Sequence, residues 1–109
     1  PSINICKSLL EEGCLLNIYD PKVLKEQIQS DLNKYKDSWK KFDDLYEAAH
    51  GSDAIIILTG WNEFYNLDFS KLFNVMRSPC WIFDTRNMVN VEIAESFGFN
   101  VWKLGDGSF

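Results

Sequence analysis

The sequence predicts an α/β fold, a doubly wound sandwich with a mostly parallel sheet. Three observations predict it. Helical and strand patterns alternate in the order α-β-α-(β)-α-β-α-β-α-β, and such alternation builds parallel sheets through right-handed crossovers. The run Asp53-Ala54-Ile55-Ile56-Ile57-Leu58-Thr59 is apolar on both strand faces, as in the middle of a parallel sheet covered by helices. Pro, Gly and short acidic or amide residues fall where elements of that order would start and stop.

Each element has its own warrant. Ile3, Cys6 and Leu10 recur at helical spacing, with Ser2 placed to cap the start and Gly13 to end the helix in the left-handed conformation. Cys14 to Asp20 is a short apolar run rich in strand formers. Asp20-Pro21 reads as an N-cap followed by proline at the first helical position, ahead of a helix carrying Val23, Leu24, Ile28 and Leu32. Residues 33–41 are polar and read as a loop, with Trp39 to Phe42 as a short edge strand. Asp44 and Glu47 have capping-box spacing, and His50-Gly51 closes that helix. After the apolar strand, Gly60 to Phe64 forms a turn into a short helix. Asp68 caps a helix with Phe69, Leu72, Phe73 and Met76 at i, i+3, i+4 and i+7, which Pro79 closes. Arg77 is expected in its last turn, where a cation complements the helix dipole. Cys80 to Asp84 is a second buried strand, and Thr85-Arg86-Asn87 is the loop at its end. Asn90 caps a helix that Gly98 ends, Phe99 to Leu104 is a final alternating strand, and Gly105 to Phe109 is a tail.

Length and charge narrow the function. The 109 residues make one ordinary domain and leave no room for a two-domain dehydrogenase, a kinase or a barrel enzyme. Four Trp, four Tyr and eight Phe supply enough buried area for a small core. A net charge of −5 argues against a nucleic-acid partner, since the lysines between Lys34 and Lys41 are interrupted by Asp37 and flanked by Asp31, Asp43 and Asp44. No run approaches the roughly 18 apolar residues of a membrane span. With no signal-peptide pattern, a cytoplasmic, reducing compartment is expected. Three cysteines without CxxC spacing fit neither a disulfide framework nor a zinc site, so no metal is expected. Each cysteine lies in an apolar run and reads as a small hydrophobe, and the only histidine, His50, sits at a helix end.

Ligands of open parallel sheets bind beyond the carboxyl ends of the strands. Here those ends are Asp20, Thr59-Gly60-Trp61 and Asp84-Thr85-Arg86-Asn87. Asp20 would suit a ribose in a dinucleotide fold, but no GxGxxG precedes it, and an N-cap role is the stronger reading. Arg86 is the candidate binding residue, because a guanidinium fork matches phosphate and sugar oxygens. Asp84 would either orient it or hold it in a loop salt bridge. Trp61 and Phe64, spaced i, i+3, either pack over the sheet end or offer a stacking face.

Four segments taken in order resemble one family. Ile18-Tyr19-Asp20-Pro21-Lys22-Val23, Tyr46 to Ala54, Thr59-Gly60-Trp61-Asn62-Glu63-Phe64 and Ile82 to Asn87 resemble the "YDP", "YEA…GADA", "TEWxEF" and "(I/F)DxRN" elements of the UDP-glucose/GDP-mannose dehydrogenase family, in its C-terminal, UDP-binding domain. The resemblance spans roughly residues 2–104 and makes all of 1–109 that domain. It implies a Rossmann-like three-layer sandwich lacking its first strand. The flanking strands would then pair directly, borrow a strand from another copy, or associate through the gap. It implies a parent enzyme that oxidises UDP-glucose to UDP-glucuronate in two NAD-linked steps through a thioester on cysteine. NAD, the nucleophile and the homo-oligomer contacts would lie in upstream regions, leaving this chain alone inactive. By motif match Arg86 contacts the UDP-sugar, with Asp84, Asn87 and Trp61 in support, and none of Cys6, Cys14 or Cys80 is catalytic. Gly60 stands where the family commonly has an acidic residue, and Thr85 where it commonly has Gly. The competing reading is a free-standing, flavodoxin-like interaction or regulatory module without enzymatic activity.

Overall fold

The computed structural model describes residues 2–104, and the tail expected from Gly105 to Phe109 lies outside them. The elements follow the expected order: α1 Ser2–Glu11, β1 Leu16–Tyr19, α2 Lys25–Asp31, β2 Trp39–Phe42, α3 Leu45–Ala49, β3 Ala54–Ile57, α4 Phe69–Val75, β4 Trp81–Asp84, α5 Val91–Ser96 and β5 Asn100–Lys103. Short 3-10 turns occupy Asn33–Tyr35 and Asn62–Asn66. Every strand pairing is parallel, as the alternation requires. The chain forms two compact units, Pro1–Ala48 and Ala49–Phe109.

In the first unit β1 pairs with β2, Leu16 opposite Trp39 and Tyr19 opposite Phe42. Leu10, Ile28 and Leu32 make its core, with Ile3, Cys6, Leu16, Ile18, Val23, Tyr35 and Trp39 packed around them. Leu32 is fully buried, and burial of a leucine contributes about 1.5–3 kcal/mol. The Trp39 indole N–H donates to the Leu32 carbonyl at 3.2 Å, so the partly buried ring keeps its polar group satisfied.

Several local expectations are corrected. Asp20 does not cap α2: its Oδ1 accepts from the backbone N–H groups of Lys22 and Val23, and the helix starts only at Lys25, after an extended Leu24. An Asp side chain can close its own turn in this way, which competes with a helix start. Ser2 already lies inside α1. Cys14 is exposed rather than packed. Arg77 lies beyond α4, which ends at Val75, and its guanidinium meets Asp53 in a largely exposed pair at 3.5 Å. By contrast Asp44, Asp68 and Asn90 accept from the N–H groups of Glu47, Lys71 and Ile93, the expected N-cap bonds.

In the second unit the sheet order is β3-β4-β5. β3 is therefore at a sheet edge and not in its middle, because only β4 pairs with it. The register puts Ile57, Ile82 and Asp84 in the buried phase of the pleat. Phe69, Leu72, Met76, Ala94 and Phe99 complete the core on that side, with Phe99 edge-on to both Phe69 and Phe73. In the other phase Trp81 stacks on Phe83, with centroids 5.6 Å apart, and Phe83 leans on Trp102. Ile56, Trp81 and Trp102 remain about 40% exposed there, so this apolar face is only partly covered.

Candidate functional site

The carboxyl ends of three parallel strands converge at one edge of the second unit. β4 ends in Asp84, whose position follows from the two-residue period of the strand. Ile82 points into the core, so Asp84 does too, and its side chain is fully buried. A buried carboxylate needs partners. Asp84 Oδ1 accepts from the backbone N–H of Arg86 at 3.0 Å, and Oδ2 from those of Met88 and Val89 at 2.8 Å each. The carboxylate thereby folds the loop 85–89 around itself. Met88 and Val89 are buried at the far side of that turn.

Two neighbouring strands fasten the same loop. The Thr85 hydroxyl donates to the Ile57 carbonyl at the end of β3, at 2.6 Å. From β5, Lys103 donates to Asn87 Oδ1 at 2.8 Å and sits 3.8 Å from Asp84 Oδ2. Asn87 takes a left-handed φ of 57°, a conformation that asparagine tolerates. The Lys103 side chain is only 13% exposed, so its charge is committed inside the loop.

Arg86 is held differently. Its backbone is pinned by Asp84, while its side chain is exposed and lies against Gly60. A Cβ added to Gly60 would stand 3.4 Å from Arg86 Nη2. Among the described residues no hydrogen bond or ion pair takes up the guanidinium. Of the two readings of Asp84, the loop salt bridge to Arg86 is absent, because backbone N–H groups and Lys103 already occupy that carboxylate. The arrangement presents an exposed guanidinium, carried on a pinned backbone beside a strand-end glycine, the chemistry that binds phosphate oxygens.

Trp61 follows Gly60, is half-buried, and starts the turn Asn62–Asn66, where Phe64 is buried. The structure thus brings Asp84, Arg86 and Asn87 into one loop, with Trp61 one residue beyond the glycine that Arg86 touches. Sequence reasoning missed Lys103, whose role depends on the β4–β5 register that sets it opposite Asp84.

No cysteine joins the site. Cys80 is fully buried just before β4, and burial pushes its thiol up, as it does that of Cys6 in the first unit. All three cysteines are free. Among the described residues no group of three or more His, Cys, Asp or Glu gathers to hold a metal ion. None of the described helices is long and apolar enough to cross a membrane.

Residues 1–91 match the model of the UDP-glucose/GDP-mannose dehydrogenase family, UDP binding domain. The chain is 39% identical to UDP-glucose 6-dehydrogenase 2 of Arabidopsis thaliana, with 96% of this chain and 25% of that protein covered. It is 39% identical to UDP-glucose 6-dehydrogenase of Drosophila melanogaster, with 95% of this chain and 24% of that protein covered. UDP-glucose 6-dehydrogenase 2 of Oryza sativa subsp. japonica is 35% identical over 96% of this chain. The chain spans about a quarter of the length of these relatives.

Proposed function

The chain belongs to the UDP-glucose/GDP-mannose dehydrogenase family as its UDP-binding domain, and on that premise we propose that it holds a UDP-sugar at the carboxyl ends of β3 and β4. Arg86 is the substrate-binding residue. The observation that carries this reading is an exposed guanidinium with no hydrogen-bond or ion-pair partner among the described residues, on a loop that buried Asp84 fixes. Asp84 and Asn87 position the loop, and Trp61 supplies an apolar contact beside it. Family membership sets aside the reading as a free-standing regulatory module.

For the whole protein, the proposed activity is that in the relatives' name, UDP-glucose 6-dehydrogenase, which we read as NAD-linked oxidation of UDP-glucose to UDP-glucuronate. This chain's own residues do not fit the dinucleotide. Its sequence has no Gly-rich turn between a strand and a helix, and Asp20, the one ribose candidate, is engaged by the N–H groups of Lys22 and Val23. No step through NAD is therefore assigned to this chain, and without a catalytic cysteine the domain by itself is expected to turn nothing over. A cytoplasmic location suits three free thiols. Homo-oligomer contacts and the nucleophile are assigned to segments outside these 109 residues.

The test is the steady-state kinetics of Arg86→Ala in the full-length polypeptide. Losing a charge-assisted contact costs about 1.5–3 kcal/mol, so the KM for UDP-glucose should rise roughly 10- to 150-fold. Arg86→Lys should recover only part of it, because an ammonium lacks the bidentate fork. An unchanged KM in Arg86→Ala overturns the assignment.

A further inference from the structure

Gly60 has no backbone reason to be glycine. Its φ lies outside the left-handed region, whereas Gly13, Gly51 and Gly98 adopt φ of 91°, 73° and 107°. Packed backbone does not crowd it either. The three heavy atoms nearest to an added Cβ all belong to one side chain: Arg86 Nη2 at 3.4 Å, and Cζ and Nε at 3.8 Å. Residue 60 is thus the floor under the guanidinium, and any side chain there would meet that group first.

The charge around this floor is settled by neighbours. The Asp84 carboxylate is used by three N–H groups and Lys103. Thr85 clamps its loop to the Ile57 carbonyl, three residues ahead of Gly60, which fixes where Arg86 leaves the backbone. No carboxylate among the described residues pairs with the Arg86 guanidinium.

We infer that residue 60 sets how strongly Arg86 can hold a nucleoside diphosphate. Glycine leaves the full Arg86 cation available to the phosphates of a nucleoside diphosphate, and an acidic side chain there would compete for the same guanidinium. The inference rests on the assignment of Arg86 above and deepens it. The competition is graded, because an ion pair between exposed groups is weak and screened by salt. A carboxylate at 60 would also repel the incoming phosphates directly.

The experiment titrates UDP calorimetrically into the full-length polypeptide and its Gly60→Glu, Gly60→Gln, Arg86→Ala and Arg86→Ala/Gly60→Glu variants, at low and high salt. Gly60→Glu should weaken UDP by about tenfold and Gly60→Gln by about twofold, with the gap narrowing at high salt. In the Arg86→Ala background, Gly60→Glu should cost markedly less than it does alone, because the two residues act through one contact. Equal losses for Gly60→Glu and Gly60→Gln, with Arg86→Ala still weak, would overturn this inference and leave the Arg86 assignment standing. Unchanged UDP binding in Arg86→Ala would overturn both.

Discussion

The Lys103 ammonium sits 3.8 Å from the buried Asp84 carboxylate and donates to Asn87, so one lysine at the end of β5 ties the start of the loop that carries Arg86 to its middle. The two partners are not equivalent. Asp84 also accepts three backbone N–H bonds, while Lys103 contributes charge and one side-chain bond. Asp84→Asn would set an NH2 group against N–H donors and should cost at least about 2 kcal/mol in chemical denaturation. Lys103→Met keeps the N–H bonds and most of the apolar stem, and should cost about 1 kcal/mol. If the lysine variant is the more damaged of the two, the loop is not organised around Asp84.

The first unit holds a contact with a defined pH signature. The Tyr35 hydroxyl donates to Glu11 Oε1 at 2.8 Å. That hydrogen bond, aided by slight burial and by the negative charge of Glu11, raises the Tyr35 hydroxyl above its ordinary value of 10.0. A raised value in the folded state favours the protonated form. The contribution is therefore fully present below about pH 10 and is lost as pH rises through the folded-state value. Tyr35→Phe should be less stable than the parent at pH 8, and the difference should vanish on alkaline titration followed by circular dichroism. A difference that persists undiminished at high pH would assign the effect to packing instead.

Thiol reactivity should rank the cysteines by environment. Cys14 is exposed, Cys6 is half-buried with its thiol pushed up by burial, and Cys80 is buried with its thiol likewise pushed up. The thiolate is the reactive species, so burial slows alkylation both by access and by protonation. Iodoacetamide labelling read by mass spectrometry should modify Cys14 first, then Cys6, and Cys80 only once the second unit opens. Early labelling of Cys80 would contradict its burial just before β4.

What the sequence reveals follows the range of the forces involved. The caps at Asp44, Asp68 and Asn90 are read correctly because donor and acceptor lie three residues apart. Asp20-Pro21 misleads because the same local chemistry has two outcomes, and the carboxylate takes the turn rather than the helix. Arg86 is legible as a strand-end residue, since an apolar run announces β4 and Asp84 closes it. Its contact with Gly60 joins loops 26 residues apart, and Lys103 reaches Asp84 only through strand register, so neither leaves a local signal. The edge position of β3 is hidden for the same reason: four apolar residues define a strand but not its number of partners.

Gly98 offers a backbone test of how α5 meets α4. Its φ of 107° lies in a region that L side chains rarely adopt, and an added Cβ would fall 2.6 Å from Phe73 Cε1 and 2.8 Å from Cζ. Phe73 cannot swing away freely, because its ring packs edge-on against Phe99 with centroids 5.8 Å apart. Phe99 is itself 3% exposed and makes a second edge contact with Phe69. Gly98→Ala therefore combines backbone strain with a core displacement, and each costs on the order of 1–3 kcal/mol. The expected loss is roughly 2–6 kcal/mol in urea denaturation, enough to unfold a marginal domain. Pairing it with Phe73→Leu separates the two costs. The smaller side chain should relieve the clash and recover part of the loss, while the strain at φ 107° remains. If Gly98→Ala is as stable as the parent, the close approach of Gly98 to Phe73 is wrong.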